Sequence, residues 1–190
     1  MSITFIRRYI FALEKGRLFT TRECLKFGKR ATVDQALCRL VRANLIVRLA
    51  RGVFMRDDWE VRRPTVFEVA RVKSLAFGKN IAMHGADLAR DLGLAASGNS
   101  QPTFAVDKRS SSFRFGDTTV HLREASMRKM HAGDTMAGSI IRALWHIGRI
   151  GCTAETIMRA SARIGRIERE ELSLSVRWMP SWMGDYFIRC

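Results

Sequence analysis

Nine lysines and arginines stand between Thr21 and Arg56: Arg22, Lys26, Lys29, Arg30, Arg39, Arg42, Arg48, Arg51 and Arg56. Two acids, Glu23 and Asp34, oppose them, so this segment carries +7 of a formal net charge of +15. Of the chain's 33 cations, 26 are arginine. A guanidinium binds phosphate and guanine edges through paired N–H donors, which an ammonium cannot do. Cations of this type gathered in one short segment point to a polyanionic partner, double-stranded nucleic acid first of all.

Catalytic signatures are missing. There is no G-x-S-x-G, no H-E-x-x-H and no G-x-x-x-x-G-K. The cysteines Cys24, Cys38, Cys152 and Cys190 have no C-x-x-C spacing, and His84, His121, His131 and His146 are scattered. A structural zinc site needs paired ligands at short spacing, so no metal is expected. Asp57-Asp58 and Glu168, Glu170 and Glu171 lie beside Arg56, Arg166 and Arg169. That pattern fits surface ion pairs better than metal ligands. The chain is therefore expected to be no enzyme and to use no cofactor.

The elements that must position the basic cluster are legible. Ile3, Ile6, Ile10 and Leu13 recur at helical spacing, which predicts a helix over 2–15, with Ser2 as cap and Gly16 as stop. Leu18–Thr20 reads as a short extended piece. A brief helix over 22–27 follows, with Thr21 as N-cap and Gly28 as terminator. A longer helix is expected over 32–43, capped by Thr32 and stopped by Asn44. Val33, Ala36, Leu37 and Leu40 share its buried face, while Gln35, Cys38, Arg39 and Arg42 face outward. Leu45–Ala50 and Val53–Met55 then form a hairpin around Arg51-Gly52. Three helices followed by a hairpin is the order of a winged helix-turn-helix, with the hairpin as its wing.

A base-reading helix uses arginine and amide side chains, so Gln35, Arg39 and Arg42 are the candidate readers. Lys29, Arg30 and Thr32 at its N-terminal end suit a phosphate. Arg48 and Arg51 belong to the wing, and Arg51 at its tip could enter a flanking minor groove. The same face is also what an ordinary solvated helix presents, and Arg51-Gly52 is also an ordinary turn. The conjunction of helix order, charge and face favours DNA.

The polar connector Asp57, Asp58, Arg62, Arg63 and Pro64 divides the chain into a winged-helix domain at 1–60 and a second domain at 64–190. The second reads as mixed α/β, with a small antiparallel sheet and several helices, so the fold class is α+β. Thr65 with Glu68 opens a helix ending near Gly78, and another covers 85–92. Gly98–Pro102 is a loop. Strands are expected at 103–106, 112–115 and 118–122, the last two joined by Gly116-Asp117. Helices follow at 135–149 (cap Asp134), 154–164 (cap Thr153) and 167–178. Pro180 is a stop and up to two turns follow over 181–189. Trp178, Met179, Trp182, Met183, Tyr186 and Phe187 are expected to close the core.

At 190 residues with 47% apolar content, the chain can bury a real core. Its pI is near 10.9. No apolar run approaches the ~20 residues that span a bilayer, and the stretch after Arg7-Arg8 ends at Glu14, which is too short for a secretory signal. No membrane association is expected, and the thiols suit a reducing, cytoplasmic setting.

"GRLFTTRECLKFGKRATVDQALCRLVRANLIVRLARGVF" (Gly16–Phe54) resembles the N-terminal winged helix of the AbiEi-type antitoxins of type IV toxin–antitoxin systems. "LGLAASGNSQPTFAV" (Leu92–Val106), "TTVHLREAS" (Thr118–Ser126), "IRALWHIGR" (Ile141–Arg149) and "RWMPSWM" (Arg177–Met183) are similar to later parts of that family. The resemblance implies a bacterial transcriptional autorepressor that binds inverted repeats in its own promoter. It also implies a second domain that counteracts a nucleotidyltransferase toxin without a stable complex. The residues carried over are Lys29, Arg30, Thr32, Gln35, Arg39, Arg42, Arg48 and Arg51. Many full antitoxins have a longer C-terminal part, so DNA binding carries over first and a solitary regulator is the other form. On the residues alone two other readings stay open, a protein-interaction module using the wing and C-terminal aromatics, and an RNA-binding protein.

Overall fold

Ile6, Ile10 and Leu13 turn one side of α1 (Ile3–Ala12) inward, where all three are buried. In this computed structural model the described residues are 3–57, 62–95, 101–131 and 133–188. The Ser2 cap, Asp58, the loop residues Gly98, Asn99 and Ser100, Arg189 and Cys190 lie outside them. Among the described residues there are ten α-helices and seven strands, an α+β protein. The chain divides into two compact units, one comprising Met1–Lys79 with Ser112–Val120, the other Asn80–Ser111 with His121–Cys190.

In the first unit β1 (Leu18–Thr20) leads into α2 (Thr21–Cys24) and a 3-10 turn at Leu25–Phe27. The cap of α2 is Thr20, not Thr21. The Thr20 hydroxyl accepts from the Glu23 amide, while Glu23 Oε1 accepts from the Thr20 amide at 2.7 Å. Thr21 is the first residue of the helix instead; it is buried and its N–H donates to the Gly52 carbonyl at 3.0 Å.

α3 (Arg30–Arg42) starts two residues earlier than its pattern suggests. Lys29 is the N-cap residue, with no side-chain hydrogen bond, and Thr32 lies inside the first turn instead of capping it. Val33, Ala36, Leu37 and Leu40 are its buried stripe, as the periodicity requires. At its end Asn44 takes φ +54°, Asn44 N–H donates to the Val41 carbonyl and Leu45 N–H to the Leu40 carbonyl. This left-handed cap redirects the chain into the next strand.

β2 (Ile46–Ala50) and β3 (Val53–Arg56) form an antiparallel hairpin, and β1 pairs with the far side of β3, giving the order β1-β3-β2. Gly52 takes φ +79° at the turn, where a side chain would be strained. The register slips between Arg48 and Ala50, a bulge on β2. The core of this unit joins α1, α3, Phe19, Cys24, Ile46 and Phe54.

α4 (Val66–Ala76) carries the Thr65/Glu68 capping box that the sequence announces. It belongs to the first unit, although the connector reading gives it to the second. The reason is packing: Val69 and Ala70 are fully buried, and α4 lies against β1 and β3.

The second unit holds β4 (Ile81–Met83), α5 (Gly85–Asp91) and β5 (Thr103–Val106). β6 (Ser111–Phe115) and β7 (Thr118–Glu124) complete a sheet of order β4-β5-β7-β6. The stretch 112–120 at the turn of that hairpin is counted with the first unit. The sheet is mixed, not antiparallel as expected. β4 and β5 are antiparallel, but β5 and β7 are parallel, with Thr103 opposite His121. β7 has Val120 and Leu122 buried while β6 buries only Phe113, so β7 takes the inner position beside β5. β4 itself escaped the sequence reading because three residues show no period.

The helices are α6 (Met127–Met130), α7 (Met136–Gly151), α8 (Ala154–Ser161), α9 (Arg166–Ser175) and α10 (Ser181–Ile188). α7 is capped by Thr135, whose Oγ1 accepts from Gly138 N–H at 3.1 Å, and not by Asp134. Its helical path breaks at Gly148, φ +78°. Met179, Met183 and Phe187 are buried with Leu144, Ile157 and Leu172, so the C-terminal apolar run does close a core. Two of the three acids over 168–171 are spent locally: Glu170 pairs with Arg166 at 3.3 Å and Glu168 accepts from Gly165 N–H.

Candidate nucleic-acid interface

The eight candidate residues, Lys29, Arg30, Thr32, Gln35, Arg39, Arg42, Arg48 and Arg51, are all exposed. They fall into two groups. At about 100° per residue, Gln35, Arg39 and Arg42 lie within ~60° of one another on α3, with Thr32 one turn before them. This stripe is opposite the buried one and is held in place by it.

The second group edges a cleft between α3 and the β2–β3 hairpin. Arg30, Asp34 and Cys38 line it from the helix, and Arg48 and Arg51 from the hairpin. Gln35, Arg39 and Arg42 are not part of this cleft. Arg30 Nε donates to Asp34 Oδ2 at 2.8 Å, and both side chains are more than half exposed. Arg30 is therefore already half neutralised, whereas Lys29, Arg39, Arg42, Arg48 and Arg51 have no acidic partner among the described residues.

Three of the nine clustered cations serve the fold instead. Arg22 Nη1 donates to the Ala76 carbonyl at 2.6 Å, at the end of α4. Arg56 Nη1 donates to the carbonyls of Phe11 and Leu13, closing the end of α1, and its guanidinium lies 5.2 Å from the Phe11 ring centroid. Lys26 sits over the Tyr9 ring at 4.2 Å. Sequence spacing counts these charges but cannot show that they are committed.

Lys73 is the residue the sequence reading missed. From α4 its Nζ donates to the Arg51 carbonyl at 2.7 Å, directly at the hairpin turn. It also lies 5.3 Å from the Phe113 ring centroid. Burial lowers its pKa, and the neighbouring charges of Arg51 and Arg48 lower it further. Lys73 thus fixes the turn and adds a third cation beside it. No spacing rule links Lys73 to Arg51, 22 positions away; only the placement of α4 does.

The first unit thus defines a class of protein, a small α+β domain that presents an arginine-rich helix face and a tethered basic hairpin on one core. The chain belongs to DUF6088, a family of unknown function, whose profile matches residues 5–172. No curated protein matches its sequence. No described helix is long and apolar enough to cross a membrane.

Proposed function

We propose that the chain is a sequence-specific, double-stranded DNA-binding transcriptional regulator whose first unit is a winged helix. In this reading α2 and α3 are the helix-turn-helix pair, α3 enters the major groove and the β2–β3 hairpin is the wing. The order of three helices and a hairpin, with β1 closing the small sheet, supports it. The observation that carries it is the grouping of charge: of the nine cations between Thr21 and Arg56, the five with no acid, carbonyl or ring contact among the described residues, Lys29, Arg39, Arg42, Arg48 and Arg51, lie on the outward face of α3, at its start and on the hairpin.

Each group has a role in this reading. Gln35, Arg39 and Arg42 read base edges, since amide and guanidinium side chains match the donor and acceptor patterns of the major groove. The start of α3, uncapped by any side chain, leaves backbone N–H groups for a phosphate, with Lys29 and Arg30 beside it. Arg48 and Arg51 meet the flanking backbone, and Lys73 holds the turn that presents them.

The likeness to AbiEi-type antitoxins extends the proposal to autorepression through inverted repeats in the chain's own promoter, in the bacterial cytoplasm, and to a functional link with a nucleotidyltransferase toxin. The test is a fluorescence-anisotropy titration of the full chain on DNA from upstream of its own gene. Matched arms use a shuffled duplex and an RNA of the same sequence. Tight binding to the upstream duplex, with at least a thousandfold preference over the shuffled one, is expected. Equal affinity for all three would remove sequence-specific regulation.

A further inference from the structure

The second unit contains a cavity of about 200 Å³ that the DNA reading does not use. Its charged lining is Arg123, Lys129 and Arg142, with His84 and His146, against one acid, Glu124. Arg142 sets its character. The side chain comes from the middle of α7 and is 3% exposed. Nε donates to the Met83 carbonyl at 3.0 Å and Nη1 to the Gly133 carbonyl at 2.6 Å. Nη2 is buried and has no hydrogen-bond partner among the described residues.

No carboxylate among the described residues lies within ion-pair distance of this guanidinium. Two neutral carbonyls hold it in place without cancelling its charge. The charge of Asp134 acts on it only from beyond ion-pair distance, and a buried cation without an ion-paired partner is costly, so proteins neutralise such groups or bind an anion to them. Burial depresses its pKa to about 10 against the opposing pull of Asp134, which still leaves the group charged at neutral pH.

The surroundings are built, not incidental. A Cβ on Gly85 would run into the Arg142 carbonyl and stand 2.9 Å from His146 Cβ, so only glycine lets α5 approach α7 this closely. That approach brings the His84 and His146 rings to 6.0 Å between centroids. His84 Nδ1 accepts from Ala86 N–H at 3.2 Å, so the neutral ring carries its proton on Nε2 and is a donor. Lys129 is steadied over the Trp145 ring at 5.3 Å.

We infer that this cavity is a binding site for the head group of a small phosphate monoester. Three cationic side chains and an imidazole donor against a single acid match a dianion better than a carboxylate. The volume is below the roughly 300–1,000 Å³ of sites that enclose a whole drug-sized ligand, so it admits a head group with the rest of the molecule outside. A phosphodiester in a duplex carries one charge and a sugar on each side, and fits neither the charge nor the space.

Isothermal titration calorimetry on the full chain tests this, with inorganic phosphate and glycerol phosphate as probes. Acetate and a duplex without terminal phosphates are the comparison arms. Both phosphates are expected to bind, acetate at least tenfold more weakly, and the duplex to leave phosphate binding unchanged. Arg123→Gln and Lys129→Gln should each weaken phosphate at least tenfold, as loss of one charge-assisted hydrogen bond does. Arg149→Gln, an exposed cation outside the cavity, should leave it unchanged. These rim variants avoid the structural hydrogen bonds of Arg142, and circular dichroism checks that they fold. No phosphate binding at millimolar concentration, equal binding by the rim variants, acetate binding as tight as phosphate, or displacement of phosphate by the duplex would each overturn the inference.

Discussion

If the unneutralised cations meet phosphates, the salt dependence of DNA binding can be worked out from the structure. Lys29, Arg39, Arg42, Arg48 and Arg51 are exposed and lack an acid among the described residues, while Arg30 shares its charge with Asp34. Each phosphate contact contributes about −0.9 to the slope of log K against log salt. With Arg39 and Arg42 reading bases, the three that contact phosphate, Lys29, Arg48 and Arg51, give a slope of about −2.7 per protomer, so affinity falls by roughly 40-fold between 50 and 200 mM salt. Arg48→Gln and Arg51→Gln should each make the slope shallower by about 0.9. Arg30→Gln should change it less. Arg22→Gln and Arg56→Gln should leave the slope alone and lower the unfolding midpoint instead, because their donors hold α4 and the end of α1. The assay is anisotropy at five salt concentrations for each variant, paired with thermal melts. If Arg22→Gln and Arg56→Gln flatten the slope as much as Arg48→Gln does, the sorting of charges argued here is wrong.

Arg39→Ala should weaken operator binding by about 1–3 kcal/mol and relax base preference at one position, read by competition with single-base variants. A fragment ending at Arg63 should unfold more readily in urea than one ending at Lys79, by about 2–3 kcal/mol, since it loses the burial of Val69 and Ala70. Gly85→Ala should lower stability by about 1–3 kcal/mol through overpacking against α7, measured by thermal unfolding. Glu68, held near a pKa of about 2 chiefly by the Thr65 amide and then by Arg62, contributes stability that is complete above about pH 4.5 and lost as pH falls toward 2. The difference in unfolding midpoint between wild type and Glu68→Gln should shrink over that window. A constant difference would deny the capping box its charge.

Much of the helix-and-hairpin unit was legible because its elements obey local rules. The apolar stripe of α3, the Asn44 stop, the Arg51-Gly52 turn and the Thr65/Glu68 box are each decided within a few residues. What escaped was decided at a distance. Thr20 and not Thr21 caps α2, with its extended backbone paired to β3, and α4 joined the first unit because β1 and β3 cover it. The parallel pairing of β5 and β7 depends on which strand buries more, which no turn motif encodes. The same holds for charge: composition showed how many cations there are, but only contacts separate Arg22 and Arg56, which serve the fold, from Arg48 and Arg51.

The division of the chain at 79/80, 111/112 and 120/121 bears on how the protein is made. A ribosome delivers the first 79 residues together, yet the segment 112–120, with Phe113 against Lys73, emerges only after part of the second unit. At about 5–20 residues per second the nascent chain waits roughly 2–8 s between those events. During that interval Lys73 can reach the Arg51 carbonyl but lacks the Phe113 ring. Final closure of the N-terminal unit is therefore a late step of synthesis, and a stalled or truncated product ending before Val120 would carry its basic hairpin without the full support beneath it.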